Sequence, residues 1–98
     1  MRLIGIHHID LFIKKHPEAA SGLRRWQKLM IEGDYKTMTE LRKTFPTADY
    51  VAGRTVFNVG GNKVRTVTIL EYGIRQVLIT HVLSHKDYDM GKWKGRPL

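Results

Sequence analysis

The sequence contains no cysteine. This absence excludes disulfide bonds, thiolate metal sites and catalysis by a thiol nucleophile. Long apolar runs are also missing, since none approaches the roughly 18–20 residues that span a bilayer. The first residues lack the apolar stretch and the small-residue cleavage site of a signal peptide. We therefore expect a cytoplasmic protein that does not associate with a membrane.

Acidic residues are scarce as well. Nine Asp and Glu stand against 17 Lys and Arg, which gives a formal net charge of +8. A polyanion is the expected partner, nucleic acid before a membrane surface, because phosphate neutralisation releases counterions. The apolar share of 42% is typical of a packed protein. A chain of 98 residues can bury one core, so we expect a single domain over residues 1–98.

The first half of the chain predicts helices after one short strand. Apolar residues recur there at helical spacing, and Pro and Gly mark the breaks. Thr37 and Glu40 have the spacing of a capping box. In chain order we predict a strand at 3–6, a helix from 8 to the break at Pro17, a helix from Pro17 to Gly33, and a short helix from Thr37 to Pro46.

The second half predicts strands. β-branched and aromatic residues are frequent in residues 54–59, 63–71 and 75–83, and turn signals separate these segments at 60–62 and 72–73. Strands joined by tight turns pair antiparallel, because parallel pairing needs a long crossover. Helices followed by a three-stranded meander indicate an α+β fold with the helices packed on one sheet face.

Alternation along these strands sorts their side chains by face. Arg65 is predicted to share a face with Lys63, and a basic side chain there must meet solvent, a carboxylate or a ligand. Which faces of the two strands coincide depends on the register, which the sequence leaves open. For the last strand, alternation places five residues on one face: Arg75, Val77, Ile79, His81 and Leu83.

Residues 84–89 form the densest cluster of reactive groups. RNA cleavage without a metal needs a base for the 2′-hydroxyl, a cation for the phosphorane and an acid for the departing 5′-oxygen. His85 can serve as acid or base, Lys86 and Arg65 can hold phosphate charge, and Tyr88 can stack or donate a proton. Asp89 can orient the imidazole or act as the base. The same spacing predicts a helix start capped by Ser84, and the two interpretations are compatible.

Two other features leave alternatives. His7, His8 and Asp10 resemble a metal cluster, but adjacent histidines on a helix point apart and no third histidine is suitably spaced. We predict no metal site and no cofactor. Trp93 lies in a basic tail, where it can stack on RNA or dock on the sheet.

Two motifs in this order and spacing resemble those of the HigB-type toxins, members of the RelE-like superfamily of bacterial type II toxin–antitoxin systems. The motifs are F-N-V-G-G-N-x-x-R at residues 57–65 and S-H-x-x-Y-D at residues 84–89. The resemblance extends along essentially the whole chain. It implies a RelE-like fold, with helices on one face of a small antiparallel sheet and an open, basic second face.

The resemblance also implies an activity and partners. The activity is that of an mRNA interferase, which cleaves messenger RNA, usually on the ribosome, and so inhibits translation and growth. A HigA-type antitoxin with a helix-turn-helix domain would neutralise it, and only the complex of the two would contact operator DNA. Attack by the 2′-hydroxyl would leave a 2′,3′-cyclic phosphate and a 5′-hydroxyl.

The motif positions imply six site residues, with Arg65 on the phosphate: Asn62, Arg65, His85, Lys86, Tyr88 and Asp89. A non-catalytic RNA- or ribosome-binding protein explains the net charge equally well, but the proton-transfer cluster and the brief basic tail favour the toxin. The predicted catalytic residues are His85, Arg65, Lys86, Tyr88 and Asp89, and the predicted RNA-binding residues are Asn62, Lys63, Arg75, His81, Lys92 and Trp93.

Overall fold

A computed structural model of the chain describes residues 1–61 and 63–95. In this part of the chain, five strands form one sheet and four α-helices accompany it, with short 3₁₀ turns between some elements. The elements are β1 (Arg2–Ile4), α1 (Ile6–Lys15), a 3₁₀ turn (Pro17–Ala19), α2 (Ala20–Glu32), α3 (Met38–Thr44), β2 (Asp49–Val51), β3 (Arg54–Val59), β4 (Val64–Glu71), a 3₁₀ turn (Tyr72–Ile74), β5 (Gln76–Ser84), α4 (His85–Asp89) and a 3₁₀ turn (Lys92–Gly95).

The predicted helices of the first half are confirmed, with their breaks close to where the sequence puts them. Pro17 opens the 3₁₀ turn before α2, and Gly33 follows the last residue of α2. Thr37 caps α3, because its side-chain oxygen accepts the backbone N–H of Glu40 at 3.2 Å. None of the helices in the described ranges is long and apolar enough to cross a membrane.

The predicted meander forms the centre of a larger sheet. The strand order is β1-β5-β4-β3-β2; β1 runs parallel to β5 and the other pairs are antiparallel. The sheet is therefore mixed and five-stranded rather than three-stranded. Its two edge strands have three residues each, too few for a period-2 pattern to reveal β2 in the sequence.

A β-bulge changes the faces of the last strand. Val67 pairs with His81 while the next residue, Thr68, pairs with Ile79, so Thr80 has no partner opposite it. Val77 and Ile79 lie in the helix-side core, and beyond the bulge His81 lies on the opposite face. The prediction that residues 75–83 place one alternating set on one face is therefore wrong, because the extra residue shifts the alternation by one.

The larger core lies between the helices and one sheet face. Phe57 is fully buried there, with the Trp26 and Phe45 rings edge-on at 5.3 and 5.1 Å. A second, smaller cluster lies on the other face, where Trp93 covers Val56 and Val67. That face, expected to be open, is thus partly covered by α4 and the segment after it.

Candidate active site

The reactive segment 84–89 begins a helix at the end of β5, as its spacing predicts. Ser84 is extended and its hydroxyl accepts the backbone N–H of Asp87 at 3.1 Å, which caps α4. The backbone N–H of His85 donates to the carbonyl oxygen of Lys63 at 3.0 Å. These two bonds fix the start of α4 against the β3–β4 hairpin end.

The His85 ring lies between a cation and an anion. Arg65 Nη2 lies 3.2 Å from His85 Nδ1, and His85 Nε2 lies 3.3 Å from a carboxylate oxygen of Asp89. A guanidinium only donates hydrogen bonds, so Nδ1 is the acceptor and carries no proton in this arrangement. The ring proton of neutral His85 is thereby assigned to Nε2, which faces Asp89.

Arg65 supplies a buried positive charge next to the His85 ring. Only 7% of the residue is exposed, and its Cζ lies 5.4 Å from the centre of the Tyr88 ring, within cation–π range. β4 positions it: its cross-strand neighbours are Asn58 on β3 and Leu83 on β5. The charge acts on His85 and Tyr88 at short range, where water screens it weakly.

Tyr88 remains a phenol at neutral pH. Burial raises the pKa of its hydroxyl above the usual value, Arg65 opposes that shift, and the carboxylates of Asp49 and Asp89 reinforce it. Tyr88 can therefore donate a hydrogen bond or a proton.

The predicted lysines surround the cluster at the surface. Lys63, Lys86 and Lys92 are exposed. Lys92 and His81 line a cleft of about 290 Å³ beside α4, together with Trp93 and Asp87. These exposed lysines can contact phosphates directly, whereas Arg65 is only 7% exposed.

Arg75 and Trp93, which the sequence also predicts to bind RNA, are placed differently from these lysines. Arg75 lies at the opposite end of β5, about 30 Å along the strand from His85, and forms an ion pair with Asp34. Trp93 is 2% exposed, so its ring is docked on the sheet and does not present a face for stacking on a base. Asn62 lies outside the described residues.

Sequence reasoning missed two residues near the site. Arg54 is 7% exposed and its Cζ lies 5.9 Å from the centre of the Trp93 ring. Alternation places Arg54 with Val56, but nothing in the sequence shows that Trp93 covers both. Asp49, which acts electrostatically on Tyr88, lies on the unpredicted strand β2.

The histidine pair of α1 takes no part in this cluster. The rings of His7 and His8 lie 4.2 Å apart. Burial lowers the pKa of His8, and the neighbouring His7 lowers it further. Within residues 1–61 and 63–95, no three His, Cys, Asp or Glu side chains are grouped so that they could hold a metal ion.

The fold and the site together define a class of protein. A mixed sheet with helices packed on one face is consistent with a RelE-like fold, and the other face carries the cluster of His85, Arg65, Tyr88 and Asp89. The chain belongs to the HigB toxin family: residues 19–91 match the model of that family, described as the RelE-like toxic component of a toxin-antitoxin system. The resemblance seen at residues 57–65 and 84–89 is confirmed.

Individual proteins resemble the chain over most of its length. The mRNA interferase toxin HigB of Escherichia coli strain K12 is 32% identical over 92 residues, which cover 91% of this chain and 88% of that protein. The mRNA interferase HigB of Shigella flexneri matches to the same extent. The mRNA interferase HigB of Escherichia coli O6:H1 strain CFT073 is 29% identical over 92 residues, with 91% and 89% covered.

Proposed function

We propose that this toxin is an endoribonuclease that cleaves messenger RNA, without a metal and in the ribosome, and so stops translation. The observation that carries the proposal is the placement of His85 between the buried guanidinium of Arg65 and the carboxylate of Asp89. The relatives named mRNA interferases support the same reaction.

His85 Nδ1 is the proposed proton acceptor. The 2′-hydroxyl loses its proton to Nδ1, its oxygen bonds to phosphorus, and the bond from phosphorus to the 5′-oxygen breaks. Nδ1 now accepts from Arg65, so the base becomes free when this N–H of Arg65 turns toward the phosphate. The negative charge that grows on the phosphate favours that exchange.

Tyr88 is the proposed proton donor. Its raised pKa keeps the phenol protonated, and its proton can pass to the departing 5′-oxygen, after which the imidazolium of His85 returns a proton through solvent. The products are a 2′,3′-cyclic phosphate and a 5′-hydroxyl. Asp89 orients the ring through Nε2 and stabilises the imidazolium.

Three exposed lysines and the partly buried His81 bind the message in this proposal. Lys86 and Lys63 contact phosphates next to the scissile bond, and Lys92 and His81 contact the strand along the cleft beside α4. Asn62 keeps its proposed RNA contact from the motif. Arg75 is too far away to touch the same nucleotide, so any RNA contact it makes is with a distant segment.

The proposed partners follow from the toxin family. A HigA-type antitoxin with a helix-turn-helix domain binds the toxin and neutralises it, and operator DNA is contacted only through that complex. The reaction takes place in the cytoplasm, where messenger RNA and ribosomes are found.

The test uses purified protein and a defined message, with and without ribosomes. Wild type cleaves the message, His85→Ala loses at least about a hundredfold in rate, and His7→Ala serves as a control because it removes an exposed histidine from α1. An uncut message bound equally well by wild type and His85→Ala would instead indicate a non-catalytic RNA-binding protein.

A further inference from the structure

Trp93 lies on the sheet face that carries the candidate site, yet it is almost fully buried. Its ring is 2% exposed and packs with Val56 and Val67, which belong to β3 and β4. These valines form the floor on which the ring rests. Direct stacking on a nucleobase would require the ring to leave this position.

Trp93 contacts both the ring and the backbone of Tyr88. The two rings are stacked, with centroids 5.1 Å apart and planes inclined by 18°. Trp93 Nε1 donates to the carbonyl oxygen of Tyr88 at 3.1 Å. The Trp93 side chain therefore fixes both the orientation of the Tyr88 ring and the distance of α4 from the sheet.

Two buried arginines flank the stacked pair. Arg65 lies against the Tyr88 ring and Arg54 against the Trp93 ring, with Cζ-to-centroid distances of 5.4 and 5.9 Å. Both arginines are 7% exposed. The aromatic pair thus covers two cations, and cation–π attraction is stronger where water is excluded.

The helix α4, which carries His85, Tyr88 and Asp89, is too short to be stable without contacts to the rest of the chain. α4 has five residues, far fewer than an isolated helix needs. Ser84 caps its start, and Trp93 anchors its end after the chain reverses at Gly91, which has φ +70° and donates its N–H to Tyr88. A side chain at position 91 would meet open space, so glycine is required there for its backbone conformation alone.

We infer that Trp93 is a positioning residue: it holds Tyr88, and with it the His85–Asp89 pair of α4, over Arg65. This inference rests on the proposed function. It assigns to Trp93 a larger effect on the rate of the chemical step than on RNA affinity, which Lys92 beside it serves in the proposed function.

The experiment separates rate from affinity. Trp93→Leu removes the stacked ring, and Trp93→Phe keeps a ring without the Nε1 hydrogen bond. Gly91→Ala strains the chain reversal and leaves the Trp93 side chain itself unchanged. Gly53→Ala is the matched control, because Gly53 also has a positive φ with open space around it but lies in the β2–β3 turn. Single-turnover cleavage gives the rate, and binding of a 2′-O-methylated fragment of the message gives the affinity.

We expect Trp93→Leu to lower the cleavage rate at least about tenfold, since small displacements of catalytic groups are costly. Gly91→Ala also lowers the rate, and Trp93→Phe keeps most of it. In Trp93→Leu and Gly91→Ala the affinity for the fragment falls by a smaller factor than the cleavage rate. Gly53→Ala cleaves and binds normally. A thermal unfolding midpoint above the assay temperature shows that each variant is folded. If Trp93→Leu is unfolded, the cleavage rate of Gly91→Ala tests the inference in its place.

Other outcomes overturn the inference. If Trp93→Leu binds the fragment tenfold more weakly and cleaves normally at saturation, the ring contacts RNA itself. If Trp93→Leu or, where that variant is unfolded, Gly91→Ala cleaves like wild type, the C-terminal segment does not position the site. An inactive wild type overturns the proposed function and this inference with it, whereas both other outcomes leave the proposed function standing.

Discussion

At the scale of single residues, the site depends on which partner fixes the His85 ring. In many His–Asp pairs the carboxylate selects the tautomer. Here Arg65 can only donate to Nδ1, so the tautomer is already determined on that side. Asp89 is more than half exposed, and its interaction with Nε2 is weakened by solvent.

This difference predicts an order of effects for two variants. Arg65→Lys keeps a charge but loses the planar guanidinium, and we expect cleavage to slow about a hundredfold. Asp89→Asn keeps an oxygen that can accept from Nε2, and we expect a loss of less than about tenfold. Single-turnover rates of the two purified variants, each checked for cooperative unfolding, measure the order. The reverse order would show that Asp89 rather than Arg65 controls the ring.

Tyr88 links the site to stability at alkaline pH. Its pKa is raised in the folded chain, chiefly by burial, above the ordinary value of 10.0. The folded state therefore holds this proton more tightly than the unfolded state, so the stabilisation is complete below about pH 10 and is lost as pH rises through the folded-state pKa. Tyr88→Phe should flatten the fall in the free energy of unfolding above about pH 10. Urea unfolding at a series of pH values measures this, and an identical fall in both proteins would contradict it.

At the scale of elements, the short helix α4 depends on its cap. Ser84→Ala removes the acceptor for the Asp87 N–H and should cost about 1 kcal/mol of unfolding free energy. Because His85 follows directly, the cleavage rate should fall as well. Thr37→Ala is the control, since it removes an equivalent cap from α3.

The Ser84→Ala and Thr37→Ala variants together separate the effect of a lost cap on stability from its effect on cleavage. We expect similar losses in thermal stability for both, with cleavage reduced only in Ser84→Ala. Equal cleavage by the two variants would mean that α4 keeps its position without the cap.

The turn between β1 and α1 requires glycine for two reasons. Gly5 has φ +94°, and a Cβ there would lie 2.7 Å from the backbone oxygen of Ile79. Gly53 has φ +79°, but a Cβ at that position would meet no other atom within 4 Å. Gly53→Ala should cost about 1–2 kcal/mol for the left-handed conformation alone, and Gly5→Ala should cost clearly more. Equal costs in chemical unfolding would show that β5 yields to the added methyl group.

The spacing of apolar residues was sufficient to predict the longer helices and strands. It was not sufficient to predict the β-bulge in β5. The alternation of residues 54–59 matches β3, and the apolar spacing before Gly33 matches α2. The bulge at Thr80 left no such pattern, because it results from pairing with β4 rather than from any residue type. The face of His81 could therefore not be predicted from β5 alone.

At the scale of the whole molecule, the two faces of the sheet carry different sets of side chains. The helix side buries the large core around Phe57, while the other side holds a small cluster under Trp93 and the reactive residues beside it. The sequence predicted that His85, Tyr88 and Asp89 lie close together, because they belong to one short segment. It could not predict that Arg65 is buried or that Trp93 docks, because both depend on contacts between distant parts of the chain.

The net charge of +8 does not show which cations can contact RNA. That depends on which lysines and arginines are exposed. Exposed cations such as Lys63 and Lys86 can attract RNA in a salt-dependent way. Arg65 and Arg54 are buried under aromatic rings and contribute little to long-range attraction. In the proposed function, the exposed lysines bind RNA and Arg65 acts in the chemical step.

The most direct measurement of the central claim is the chemical form of the ends that the wild-type toxin leaves on a message. The proposed roles of His85 and Tyr88 predict fragments with a 2′,3′-cyclic phosphate and a 5′-hydroxyl, and their absence with His85→Ala. Fragments that end in a 3′-hydroxyl and a 5′-phosphate, or a message left intact with ribosomes present, would contradict the account.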